Sequence, residues 1–231
     1  MFSSRSHEPE RIDTGDYTLE EYERFLREIA FINKYFGDRR ALRKSLLREI
    51  EKRDIRRFSV LDVGCGSGEL LRVIAEFARR TGRRADLTGV DLNSISTTTT
   101  RDASLNFPEI AAVQADAFQL PFADGAFDYA ISSLFFHHLT DAHIPVVLNE
   151  MSRVARRGVF VIDLHRHPVA YAAYKLFCTV FRISRLVRHD GSLSILKGFK
   201  GAELKRLSQS AQLRKTKVRR VFPFRLVLQV S

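Results

Sequence analysis

The segment Val60-Leu61-Asp62-Val63-Gly64-Cys65-Gly66-Ser67-Gly68-Glu69-Leu70 constrains this chain more than any other. An apolar run enters a turn with glycine at alternate positions and leaves as an amphipathic pattern with helical spacing. Glycine supplies the backbone angles and the bare main chain that such a turn needs when a ligand lies against it. The flanking pattern is a buried strand, Phe58–Val63, and a helix over Glu69–Arg80 ended by Gly82. The same alternation continues downstream. Strands are predicted over 85–90, 110–114, 127–132 and 158–163, with helices over 94–105 and 143–155. Strands that are apolar throughout belong to a parallel sheet covered on both faces, so the fold class is α/β, doubly wound.

Spacing narrows the ligand. A dinucleotide loop reads G-x-G-x-x-G, whereas Gly64, Gly66 and Gly68 read G-x-G-x-G. A phosphate loop needs Lys followed by Ser or Thr after its last glycine, and Glu69-Leu70 stands there instead. Asp62 would repel a pyrophosphate and suits a ligand with an ammonium group, such as the methionine part of S-adenosylmethionine. Asp91, at the end of the next strand, can accept hydrogen bonds from both hydroxyls of a ribose. Asp116 follows the third strand and can accept from an adenine amino group, with Leu92 and Phe118 packing on the ring.

The loop V-L-D-V-G-C-G-S-G, the strand end V-D-L-N, the segment A-D-A and the run F-D-Y-A-I-S-S-L-F-F-H-H-L together resemble class I S-adenosylmethionine-dependent methyltransferases. The last of these resembles the small-molecule branch, the ubiquinone and menaquinone methyltransferase-like enzymes. The resemblance covers about residues 58–165. It implies a Rossmann-like seven-stranded sheet, mostly parallel with an antiparallel last strand. It also implies that Gly64, Cys65, Gly66 and Gly68 lie against the methionine part of the cofactor and that Asp62 orients its amino group. Asp91 would bind the ribose, Asp116 and Ala117 the adenine, with Leu92 against its ring, and Ser132 and Ser133 would bring backbone near the sulfonium.

Methyl transfer to a phenol or similar hydroxyl gains from a general base, for which His suits neutral pH. Phe135-Phe136-His137-His138-Leu139 leaves the fourth strand at its carboxyl end, where open α/β sheets bind ligands. His138 is the first expectation for the base, since related enzymes carry His there, His137 the second, and His165 after the fifth strand a substrate-contacting or base candidate. Asp163, His165 and His167 could be read as a metal cluster, but no further carboxylate pair stands near them, so no metal is expected.

The rest of the chain supplies context. Residues 14–51 read as helices broken at Gly37-Asp38, giving an N-terminal helical extension over 1–57 ahead of a methyltransferase domain over 58–231. Val169–Val187 is an apolar helical stretch followed by a turn at His189–Ser192, and 201–211 is a further helix. These form a helical substrate cover over about 168–211. Thr216–Val221 and Phe224–Val230 are closing strands. The 231 residues carry a formal charge of +11, all of it in 182–231, where 13 basic residues face 2 acidic ones. The neutral remainder holds the whole cofactor site, so the charge belongs to the substrate side. It fits a small lipophilic or phenolic acceptor (O- before C-methylation), brought by an acidic carrier or met at an anionic membrane. RNA or protein methylation is the alternative, and a binding protein without turnover a third reading. Two cysteines, no signal segment and no apolar run of spanning length lead to the expectation of a cytoplasmic protein.

Overall fold

The computed structural model describes residues 2–15, 17–211, 213 and 215–231. Seven strands form one sheet: β1 (Arg57–Val63), β2 (Arg84–Asp91), β3 (Ile110–Gln114), β4 (Phe127–Ser133), β5 (Ala155–Leu164), β6 (Thr216–Val221) and β7 (Arg225–Val230). Their order is β3-β2-β1-β4-β5-β7-β6. The pairings from β3 through β5 are parallel, and β7 runs antiparallel to both β5 and β6. The order reverses between β1 and β4, so the carboxyl ends of these two strands flank the crevice where a ligand enters an open α/β sheet.

Strand β4 is buried along almost its whole length and β1 over most of its own, as expected of central strands covered on both faces. Helix α4 (Glu69–Arg80) buries Leu70, Leu71, Val73, Ile74, Phe77 and Ala78 against one face of the sheet. Each large aliphatic side chain so buried contributes about 1.5–3 kcal/mol. Helix α5 (Ser94–Ala103) follows β2, with the Asn93 side chain capping it at Ile95 N–H, 2.9 Å. Helix α6 (His143–Val154) covers the opposite face with Ile144, Val147, Leu148 and Met151.

The N-terminal part departs from the sequence expectation in where its helices start. Residues Arg11–Thr14 make a single 3-10 turn, and α1 runs over Leu19–Phe36 rather than from Thr14 (Asp16 lies outside the described residues). Thr18 sets that start: its hydroxyl accepts from Glu21 N–H while the Glu21 carboxylate accepts from Thr18 N–H. Gly37, at φ 100°, ends α1. The chain then continues through α2 (Asp38–Leu42), one π turn (Arg43–Leu47) and α3 (Arg48–Lys52).

The region after β5 also differs. The apolar stretch divides into α7 (Pro168–Val180) and α8 (Arg185–Lys197), separated where Arg182 adopts φ 49°. The turn expected at His189–Ser192 lies inside α8. There the Asp190 side chain, instead of making a turn, accepts Ile12 N–H at 3.0 Å, and Tyr174 packs against Gly191. Tertiary contacts override the local turn chemistry. Helix α9 (Gly201–Ser210) precedes β6. No helix among the described residues is long and apolar enough to cross a membrane.

Candidate active site

A cavity of about 580 Å³ opens at the carboxyl ends of β1, β2, β4 and β5. The glycine turn forms its floor at one end. Gly64 N–H and Cys65 N–H both donate to Val90 O, at 2.8 and 3.0 Å, which locks the loop onto β2. Gly64, Gly66 and Gly68 all have positive φ. The space a Cβ would take at Gly66 is open, whereas at Gly64 it would meet the Phe135 ring at 2.8 Å and at Gly68 the Thr100 side chain. Gly66 is therefore the point where the main chain lies bare toward the cavity.

Two carboxylates frame that floor. Asp62 is 3% exposed and its Oδ1 has no hydrogen-bond partner among the described residues. Burial, and then the nearby charge of Asp91, pushes its pKa up to about 7. A buried carboxylate oxygen left unpartnered is costly unless a donor reaches it from the cavity. Asp91 accepts Gly66 N–H at 3.0 Å and Asn93 N–H at 2.9 Å, which leaves lone pairs on both oxygens for a ligand. Burial raises its pKa although these hydrogen bonds oppose the shift. An ammonium donor for Asp62, hydroxyl donors for Asp91 and a bare Gly66 between them fit the methionine and ribose ends of S-adenosylmethionine.

The other expected cofactor residues fall in three places. Cys65 and Ser133 line the cavity, and so does Leu92, whose side chain is 69% exposed at its mouth. Ser132 lies beneath the lining, its hydroxyl donating to Val63 O at 2.7 Å, and Gly68 starts α4 without reaching the cavity wall. Asp116 and Ala117 are also outside the lining; the Asp116 carboxylate accepts Phe118 N–H at 2.9 Å in a local turn after β3.

The three histidines all reach the cavity but in different states. His137 is 3% exposed, and its Nδ1 lies 2.8 Å from Asp163 Oδ1. Burial works against ionisation of Asp163, yet the His137 interactions and Leu164 N–H hold its pKa below the usual range. An ionised Asp163 requires a proton on His137 Nδ1, so the neutral ring presents Nε2 as its acceptor. His138 is bonded through Nδ1 to Asp13 Oδ2 at 3.0 Å. Burial alone would lower its pKa, but the Asp13 hydrogen bond and the charges of Glu10 and Asp13 outweigh it and raise the value. His165 is the reverse case: burial, Arg220 and its neighbours His167 and Arg166 lower its pKa, and its ring makes no hydrogen bond among the described residues. His138, ranked first from sequence, is the histidine that Asp13 holds and whose pKa is raised by it.

Residues that sequence reasoning missed close the site. The N-terminal segment crosses the cavity and is pinned by Arg5, which donates to His137 O, Leu139 O and Lys197 O at 3.1, 3.0 and 2.9 Å. Glu10 and Asp13 descend from it, and Lys197 Nζ sits 3.2 Å from Glu10 Oε1 and 3.1 Å from Asp13 Oδ2. Glu10, His137 and His138 bring one ligand atom each within 4.8 Å of one another, but the Lys197 ammonium already neutralises the carboxylate that a metal ion would use. Tyr17 and Tyr22 stack at 4.9 Å, Tyr22 OH bonds Ser96 Oγ at 2.8 Å, and Tyr17 OH accepts from Asn93 Nδ2 at 3.2 Å. Beyond them Phe25, Leu26, Ile29, Ile32, Phe36, Leu134, Ala170 and Tyr174 make the far end apolar. The one sequence signal for this end was the helical spacing of Tyr22, Phe25, Leu26, Ile29 and Ile32, which marks a buried face without saying what it covers.

Comparison with known proteins agrees with this geometry. Residues 60–158 match the family model described as a methyltransferase domain. The chain is 34% identical over 130 residues to a 2-phytyl-1,4-naphtoquinone methyltransferase of Nostoc punctiforme, covering 53% of this chain and 54% of that protein. It is 26% identical over 140 residues to a demethylmenaquinone methyltransferase of Staphylococcus aureus, covering 61% of this chain and 55% of that one. The chain thus spans about half the length of the curated relatives it matches. Among solved structures, magnesium protoporphyrin IX methyltransferase from Synechocystis, with bound SAH, superposes with a TM-score of 0.63 at 14% identity, over 95% of this chain and 98% of that one. Human N-acetylserotonin methyltransferase, in complex with SAM, does so with a TM-score of 0.65 at 16% identity, over 92% of this chain and 56% of that one. Residues 60–158 thus match a methyltransferase domain, and with the carboxylate-framed glycine turn and the 3-2-1-4-5-7-6 sheet the chain has the fold of, and is similar to, the class I S-adenosylmethionine-dependent methyltransferases.

Proposed function

We propose that this protein transfers a methyl group from S-adenosylmethionine to a hydroxyl of a small lipophilic acceptor of the phenol or quinol class. The carrying observation is a single cavity that joins the Asp62/Asp91 floor to an apolar end walled by α1 and α7, with His137 and His165 on its lining. The similar quinone methyltransferases support an aromatic acceptor. Bound S-adenosylmethionine supplies an electrophilic methyl on a sulfonium. The chain's own part is to hold, orient and dry the site. Asp62 draws the ammonium and Asp91 takes the ribose hydroxyls. The backbone at Gly66 lets the ligand approach, and Leu92, at the cavity mouth, packs against its ring side. The apolar wall excludes water and seats the acceptor's ring, so that positioning supplies much of the rate.

His137 is the base in this reading. Its Nε2 takes the hydroxyl proton as the oxygen becomes a nucleophile, and Asp163 stabilises the resulting imidazolium. His138 and Lys197 instead hold the N-terminal segment over the site through Asp13. Transfer of tritium label from S-adenosylmethionine to a panel of phenols, short-chain quinols and bulk tRNA tests the proposal. Label in the phenol or quinol fraction is expected. Label in the tRNA alone would move the reading to RNA methylation. His137→Ala should lower kcat by about 10²–10⁴-fold, the usual worth of general-base catalysis, with S-adenosylmethionine affinity unchanged. A loss of that size in His165→Ala and not in His137→Ala would transfer the role to His165.

A further inference from the structure

Helix α7 has two working faces. Ala170 and Tyr174 on its inner face line the cavity. On the outer face Val169, Leu176 and Val180 follow helical spacing and are 56%, 65% and 64% exposed. A surface helix of a water-soluble protein normally turns polar residues outward, so an apolar outer stripe is a feature that needs an occupant. The stripe widens through Phe181 and Tyr35, both about half exposed and joined to Phe31 and Phe177 in one aromatic cluster.

The charge beside the stripe is of one sign. From Leu164 to His189 the sequence contains no Asp or Glu. Lys175, Arg182, Arg185 and Arg188 are all exposed, and none forms an ion pair among the described residues. Three of them, Lys175, Arg185 and Arg188, line a second cavity of about 430 Å³ between α7 and α8, with Glu8 as its one acidic wall residue. Glu28 also lies near, but its carboxylate is engaged by Ser184 and Arg24. Basic side chains flanking an exposed apolar stripe are the composition of a helix lying in the plane of a membrane interface.

We propose that the outer face of α7, with the basic cleft between α7 and α8, docks on an anionic phospholipid surface. Leu176, Val180 and Phe181 enter the interface, and Lys175, Arg185 and Arg188 meet lipid phosphates. Charge complementarity selects this occupant over a second copy of the chain, whose equivalent patch would bring the same unpaired cations together. The placement leaves only the thickness of α7 between the membrane and the apolar end of the cavity. The proposal concerns the surface and stands apart from the identity of the acceptor.

The test is cosedimentation of the full chain with vesicles of phosphatidylcholine alone or mixed with phosphatidylglycerol. Partition onto the phosphatidylglycerol vesicles is expected, weakening as salt rises. Each basic side chain near such a surface is worth about fivefold in binding, so Arg185→Glu with Arg188→Glu should reduce partition by roughly 25-fold or more. Leu176→Gln with Val180→Gln should abolish it. Both double variants alter exposed residues outside the site, so unchanged S-adenosylmethionine affinity by calorimetry and unchanged label transfer to a water-soluble phenol are expected alongside. Equal partition of parent and variants would overturn the proposal. So would binding to tRNA without binding to vesicles, or a dimer in sedimentation velocity that Leu176→Gln disperses while vesicles are ignored.

Discussion

Asp62→Asn separates the cost of the site from its use. In the ligand-free protein the buried Asp62 carboxyl has a pKa of about 7, against 3.8 for the ordinary side chain. The gap of about three units corresponds to about 4 kcal/mol at 1.36 kcal/mol per unit, as an upper bound. The sign follows from which state holds the proton. Between pH 4 and 7 the unfolded chain is ionised while the folded one keeps its proton, so stability falls as pH rises through that window. The penalty is complete above pH 7. Asparagine keeps the shape and cannot ionise. Relative to the parent, the variant's stability should therefore rise by about 2–3 kcal/mol between pH 5 and pH 8. At about 2.1 cal/mol/K of unfolding entropy per residue, this is a widening of roughly 4–6 °C in Tm for a chain of 231 residues. Differential scanning calorimetry without ligand reads it directly. Titration calorimetry with S-adenosylmethionine reads the other half. The parent's affinity should fall by up to about tenfold per pH unit below 7, because the ammonium needs the ionised carboxylate, while the variant binds weakly at every pH. Parallel melting curves at the two pH values, or undiminished affinity in the variant, would refute the assignment of Asp62 to the amino group.

Gly66→Ala should cost only about 1–2 kcal/mol in urea unfolding, from the left-handed backbone at φ +54°, since its methyl meets no protein atom. Its S-adenosylmethionine affinity should fall much further, because the methyl stands where the ligand passes. Gly64→Ala should unfold more readily than Gly66→Ala, because the Phe135 ring blocks its Cβ at 2.8 Å. Asp38→Ala breaks the buried pair in which Arg225 donates from Nε and Nη2 to the two carboxylate oxygens at 2.6 and 2.8 Å. A loss of about 3–5 kcal/mol in chemical denaturation is expected from the stranded guanidinium, whereas Asp38→Leu with Arg225→Met should recover much of it.

What the sequence made legible is what depends on neighbours a few residues apart. Helix α4 spans Glu69–Arg80, the range its apolar spacing predicts, because the glycine turn starts it and Thr81-Gly82 stops it. Asp62 and Asp91 were readable for the same reason: each ends a strand beside the turn it serves. The turn expected at His189–Ser192 failed because Asp-Gly-Ser reads as a turn only when its side chains satisfy their own backbone. Here Asp190 is fully buried and accepts a hydrogen bond from Ile12, 178 positions away. The partner of His138 was hidden for the same reason. His138 and Asp13 are 125 positions apart, and Asp13 and Lys197 are 184 apart. No local pattern marks Glu10 or Asp13 in a segment that reads simply as charged. The cofactor end is therefore written in short-range turn chemistry, while the acceptor end is assembled from α1, α7, α8 and the N-terminal segment. The N-terminal segment and α1 reach α7 and α8 only through contacts across most of the chain, so the surroundings of His137 and His138 are set by the cover rather than by the motif that contains them both.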